Sequence, residues 1–142
     1  MQAAGFVLAG GGSTRMGRDK ALLPYRGTTL IEHVARAVMA AAGCVTVRGD
    51  PDRYRRLGYP VVTDQVPGCG PLSGICTALS VTSADWNLIA ACDMPAISEA
   101  TLRAMLGRAA GSSASAGMAH PKRQSSKTDF PKRPSSPRTD QM

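Results

Sequence analysis

The sequence predicts an α/β fold in which a mostly parallel sheet carries helices on both faces. Three observations support this. Short apolar runs of strand length alternate with longer stretches whose apolar residues recur at helical spacing. The order is strand, helix, repeated four times, as in units built by strand–helix–strand crossovers. The apolar runs are almost continuous, as in strands covered on both faces.

The elements follow in order. Gly5-Phe6-Val7-Leu8-Ala9 is an apolar run closed by glycines and reads as the first, buried strand. Residues 10–19 form a glycine-rich loop. Thr29 opens a helix, and Glu32 three residues later completes a capping-box pattern. Leu30, Ile31, Val34 and Val38 give this helix an apolar face, and Gly43 marks its end. Residues 44–47 form a second strand, residues 52–57 a short polar helix closed by Gly58, and residues 60–63 a third strand ending at Asp64. Pro71 suits the first turn of a helix whose apolar positions are Leu72, Ile75, Cys76 and Leu79. Residues 86–91 form the fourth strand, running into Cys92-Asp93, and Ser98 caps a last helix to about Arg108. Asp64, Asp93 and the loop after Ala9 all fall at the carboxyl ends of strands, where open parallel sheets bind ligands.

The character changes near Ala110. Residues 1–110 hold 11 Lys+Arg and 8 Asp+Glu, a net of +3, whereas residues 111–142 hold 6 and 2, a net of +4. The formal charge of +7 therefore says little about the folded part. Residues 1–110 are expected to form the domain. Residues 111–142, rich in Ser, Pro, Lys and Arg, bury too little apolar surface to offset chain ordering and are expected to be a disordered basic tail. Out-of-frame translation, a linker or a nucleic-acid-binding arm would each account for it. The abrupt loss of pattern favours the first, and the missing aromatic interleaving speaks against nucleic acid as a partner.

No apolar run approaches the roughly 20 residues of a membrane helix, and the N-terminal residues carry no leader pattern. Cys44, Cys69, Cys76 and Cys92 lack zinc-site spacing and are expected to be buried, reduced thiols of a cytoplasmic protein. His33 and His120 lack metal-site partners, and Tyr54 and Trp86 are expected to pack rather than stack on a base.

The loop carries the chemistry. Gly10, Gly11, Gly12 and Gly17 let backbone amides approach a ligand closely, and Arg15, Arg18 and Lys20 add positive charge beside them. Arginine suits bidentate phosphate contact and lysine acts as a point charge. Arg18-Asp19 stands where a Walker A loop has Lys-Ser/Thr, and Arg15 stands where a dinucleotide fingerprint needs glycine. The loop is expected to hold the triphosphate of a nucleotide.

Residues 8–24, LAGGGSTRMGRDKALLP, resemble the signature of molybdenum cofactor guanylyltransferases, which are nucleotidyltransferases of Rossmann-like fold. Val62-Thr63-Asp64-Gln65 with Gly70-Pro71-Leu72-Ser73-Gly74, and then Ala91-Cys92-Asp93-Met94-Pro95, resemble the same family in the same order. The resemblance implies GMP transfer from GTP to the molybdenum–molybdopterin cofactor, releasing pyrophosphate, with the product passed to a molybdoenzyme or chaperone. It implies that Leu8, Ala9 and Gly10 meet GTP through the backbone, that Arg15 and Lys20 neutralise its phosphates, that Asp64 lies in the nucleotide site, and that Asp93 binds Mg²⁺. Arg48 stands where many relatives place an asparagine, and the strands and helices of the acceptor half have no counterpart after residue 110, so the domain is expected to be C-terminally incomplete. Cytidylyl transfer to the same cofactor, nucleotidyl transfer to a sugar phosphate, and non-catalytic GTP or nucleic-acid binding stay open at this point.

Overall fold

A computed structural model describes residues 2–10, 19–63 and 70–115. Its elements are β1 (Ala3–Leu8), a 3-10 turn (Lys20–Leu22), β2 (Pro24–Tyr25), β3 (Thr28–Thr29), α1 (Leu30–Ala42), β4 (Thr46–Arg48), α2 (Pro51–Tyr54) continued by a 3-10 turn (Arg55–Leu57), β5 (Val61–Val62), α3 (Gly70–Ser80), β6 (Trp86–Ala91) and α4 (Glu99–Ser115). β5, β4, β1 and β6 form one parallel sheet in that order, with Leu8 in register with both Arg48 and Ala91. The chain moves outward from β1 to β4 and β5, then returns to place β6 on the other side of β1. Because crossovers between parallel strands are right-handed, reversing direction puts the crossover helix on the opposite face. The reversal makes the β1–β6 boundary the switch point of the sheet.

Both faces are covered. Strand residues alternate, and Gly5 and Val7 face α1. A Cβ at Gly5 would collide with the Val38 side chain and the Cys44 carbonyl, so this glycine lets α1 lie close to β1. Val7, Val47, Leu88 and Ala90 meet Ile31, Val34, Val38, Leu102 and Leu106 in one apolar core. On the other face, Leu8 and Arg48 lie against Gly74 of α3.

Helix α1 begins as its sequence dictates. The Thr29 Oγ1 accepts the Glu32 N–H, Glu32 Oε2 accepts the Thr29 N–H at 3.0 Å, and the Thr28 and Thr29 hydroxyls both donate to that carboxylate at 2.7 Å. These donors hold the Glu32 carboxyl down at about 2. Gly43, at φ 83°, ends the helix in the left-handed region and donates to Met39 O.

Four expectations are corrected. α3 is turned over: Ser73, Gly74, Thr77 and Ala78 are buried, while Leu72 (67% exposed), Cys76 and Leu79 point outward. This helix has no charged residue, so its pattern held two competing faces, and close approach to Leu8 and Arg48 selected the small one. The thiols of Cys44 and Cys76 are exposed and that of Cys92 is half-buried, all three unpaired; Cys69 lies outside the described residues. Helix α4 runs to Ser115, past Arg108 and into the segment expected to lack structure. A hairpin of β2 and β3 stands where no strand was expected, turning through Arg26 and Gly27, both at positive φ.

Candidate functional site

Three strand ends meet at one edge of the sheet. The Ala9 N–H donates to Arg48 O at 2.8 Å, and the Cys92 N–H donates to Leu8 O at 3.1 Å. The ladder thus extends one residue past β1 and one past β6. The Arg48 guanidinium reaches from β4 to the end of β1 and donates to Ala9 O at 3.1 Å. Ala9 is fully buried with both backbone groups engaged, so it anchors the strand end. Gly10 is exposed and sits at φ 82°, where the chain leaves the sheet in a conformation other residues rarely adopt. Its position at the β1–β6 switch point is where parallel sheets present backbone amides to anions.

Asp93 follows directly on the other side of that switch point. Its carboxylate is exposed, and burial followed by the Asp93 and Asp19 carboxylates pushes the Cys92 thiol up to about 11. Burial contributes most to that shift and Asp93 comes next. The shift favours the neutral thiol at Cys92. Among the described residues no group of three or more His, Cys, Asp or Glu side chains could hold a metal alone. One exposed carboxylate fits an ion such as Mg²⁺, which takes one or two carboxylates and completes its shell with substrate phosphates and water.

Lys20 is exposed on the first residue of the 3-10 turn that follows the glycine loop. Asp19 before it was read only as a departure from a Walker A loop. The structure shows it as an anchor: Oδ1 accepts the Ala21 N–H at 3.0 Å and Oδ2 accepts the Tyr54 hydroxyl at 2.6 Å. Tyr54 is buried, as expected of a packing residue, and burial followed by the Asp19 carboxylate raises its phenol well above the usual range. Nothing in the spacing of residues 19 and 54 announces this contact. The only signal was an aromatic residue with a polar tip inside an otherwise polar helix.

Leu8, Ala9, Gly10 and Asp93 therefore come together at one edge, and Lys20 stands at the end of the loop that leaves it. Arg15 and Asp64 lie outside the described residues. Arg48 takes a structural position between β1 and α3. His33 packs at the β2–β3 hairpin: Nε2 lies 3.1 Å from Pro95 O, and Tyr25 meets its ring edge-on. Trp86 is half-buried against the core. Among the described residues no helix is long and apolar enough to cross a membrane.

Residues 5–131 match the family described as the MobA-like NTP transferase domain. The chain is 44% identical over 89 residues to a probable molybdenum cofactor guanylyltransferase of Carboxydothermus hydrogenoformans, covering 63% of this chain and 45% of that protein. It spans about half the length of the curated relatives it matches. A crystal structure of Rv0371c from Mycobacterium tuberculosis superposes with a TM-score of 0.63 at 28% identity, covering 78% of this chain and 61% of that one. A complex of the same protein with manganese gives 0.59 at 26% identity, covering 78% and 60%.

Proposed function

The chain belongs to the family of MobA-like NTP transferase domains, and on that premise we propose that it supplies the nucleotide-binding part of a molybdenum cofactor guanylyltransferase. The reaction transfers GMP from GTP to the molybdenum–molybdopterin cofactor. An oxygen of the terminal phosphate of molybdopterin attacks the α-phosphorus of GTP. The bond from that phosphorus to the bridging oxygen breaks, and pyrophosphate leaves with the electron pair.

Both reactants are anions, so the protein's task is to neutralise charge and fix geometry. Gly10 offers its amide at the switch point, and Lys20 with Arg15 neutralises the triphosphate. Asp64, which follows β5 in sequence, is assigned to the nucleotide site. Asp93 holds the divalent cation, which when bound offsets charge on the triphosphate and the departing pyrophosphate. The manganese complex of the structural neighbour supports a divalent ion in this fold, and Mg²⁺ is the ion this reading assigns.

The observation that carries the reading is the meeting of Gly10 and Asp93 on adjacent strand ends at the switch point of the sheet. Calorimetric titration of the chain with Mg²⁺–GTP tests it. The expected outcome is measurable binding, GTP preferred over CTP, and a loss of about tenfold or more in Asp93→Ala, equivalent to at least ~1.4 kcal/mol. Equal affinity of the chain and Asp93→Ala for Mg²⁺–GTP would overturn the reading.

A further inference from the structure

The 3-10 turn Lys20–Leu22 is held at its start by a carboxylate whose two oxygens are both occupied. Asp19 Oδ1 accepts the Ala21 N–H, and Oδ2 accepts the Tyr54 hydroxyl. The Arg53 guanidinium lies 3.6 Å from Oδ2 and is itself held toward Asp50, 3.7 Å away. Asp50 in turn caps α2 by accepting the Asp52 N–H. The turn closes through Leu22 N–H to Asp19 O and Leu23 N–H to Lys20 O, and Ala21 is buried beneath it. Tyr54 cannot drift: it is 0% exposed, and its ring lies so close to Gly49 that a Cβ there would strike it.

A purely packing role would be served by phenylalanine, because burying a phenol without a partner costs free energy. The partner here is the carboxylate adjacent in sequence to Lys20. Among the described residues no carboxylate pairs with the Lys20 ammonium. Yet Asp19 is the nearest acid along the chain, and a carboxylate with a free oxygen would compete with phosphate for that ammonium.

We propose that Tyr54 is a positioning residue for Lys20: its buried hydroxyl ties down Asp19, which fixes the turn bearing the lysine and keeps its ammonium free for nucleotide phosphates. This rests on the reading of Lys20 as a phosphate ligand. Removing the hydroxyl leaves Oδ2 only the longer contact with Arg53, loosens the turn and lets Asp19 turn toward Lys20.

The test is a double-mutant cycle read by Mg²⁺–GTP titration, using the full chain, Tyr54→Phe, Lys20→Ala and the double variant. Tyr54→Phe is expected to weaken binding about five- to tenfold, the scale of one ordinary net hydrogen bond. In the Lys20→Ala background the same change is expected to cost less than about twofold, because coupled residues are non-additive. Adding Asp19→Asn to Tyr54→Phe is expected to recover part of the affinity by removing the competing charge. Amide exchange of the unliganded protein supplies a readout without nucleotide: Ala21, Leu22 and Leu23 exchange faster in Tyr54→Phe, while α1 amides do not. If Lys20→Ala binds Mg²⁺–GTP as the parent does, the reading of Lys20 fails. If Lys20→Ala is weakened but Tyr54→Phe is not, or the two losses simply add, this proposal fails.

Discussion

The two faces of the sheet are built on opposite principles. Under α1 and α4 the strands meet large aliphatic side chains, with Ile31, Val34, Val38 and Leu102 at or near zero exposure. Under α3 the same strands meet Ser73, Gly74, Thr77 and Ala78, while Arg48 threads its guanidinium between helix and strand end. Asn87 Oδ1 is also buried without a hydrogen bond among the described residues, and by strand alternation from Leu88 it belongs to this second face. The first face stores stability in apolar burial. The second gives up apolar contact for close approach, and it borders the edge where Leu8, Gly10 and Asp93 gather. One sheet thus separates the part that holds the fold from the part that shapes the edge carrying Gly10 and Asp93.

That contrast can be broken by substitution. The largest effect is expected at Ile31→Ala on the apolar face, where truncating a fully buried side chain leaves a cavity and costs roughly 2–5 kcal/mol in urea unfolding. Asn87→Leu on the second face is expected to act in the other direction. It removes an unsatisfied buried oxygen but also the long Nδ2–H bond to Ala84 O at 3.4 Å, and a net gain of no more than about 1 kcal/mol is expected in the same assay. A loss there would show that the second face needs its polar lining.

An acid titration sharpens the account of the first face at α1. Glu32 has its folded pKa lowered to about 2 from an ordinary 4.5, chiefly by the Thr28 and Thr29 hydroxyls. The unfolded chain binds the proton first as pH falls, so this contribution is fully present above about 4.5 and is lost on the way to about 2. Thr29→Ala is expected to cost about 1 kcal/mol at neutral pH. The gap between it and the parent should narrow over that acid window. The smallest effect belongs to the outward stripe of α3: Leu79→Ser, on a side chain 49% exposed, is expected to stay within about 0.5 kcal/mol of the parent.

The same contrast explains what the sequence made legible. On the apolar face, periodicity and burial agree, so α1, its Thr29–Glu32 capping box and its Gly43 stop could be read residue by residue. β6 was expected over residues 86–91 and occupies Trp86–Ala91. On the second face they disagree. The large residues of α3 form a stripe as regular as a core stripe, but packing against Leu8 and Arg48 required the small ones. The β2–β3 hairpin is not legible because Arg26-Gly27 lacks the Asn-Gly or Asp-Gly signal of a two-residue turn, and its strands are two residues long and show no alternation. Of the site, Gly10 and Asp93 could be located because strand ends can be counted along a chain. The Asp19–Tyr54 contact joins residues 35 positions apart in sequence, and no local pattern encodes such a meeting.

The most direct test of the claim that nucleotide binds at the β1–β6 switch point is a titration of the isotopically labelled chain with Mg²⁺–GTP, followed by amide chemical shifts. The predicted result is that Gly10, Lys20, Cys92 and Asp93 move together and saturate with one dissociation constant, while amides at the C-terminal end of α1 stay still. Shifts confined to α1, α4 or the outward stripe of α3, with Gly10 and Asp93 unmoved, would contradict it.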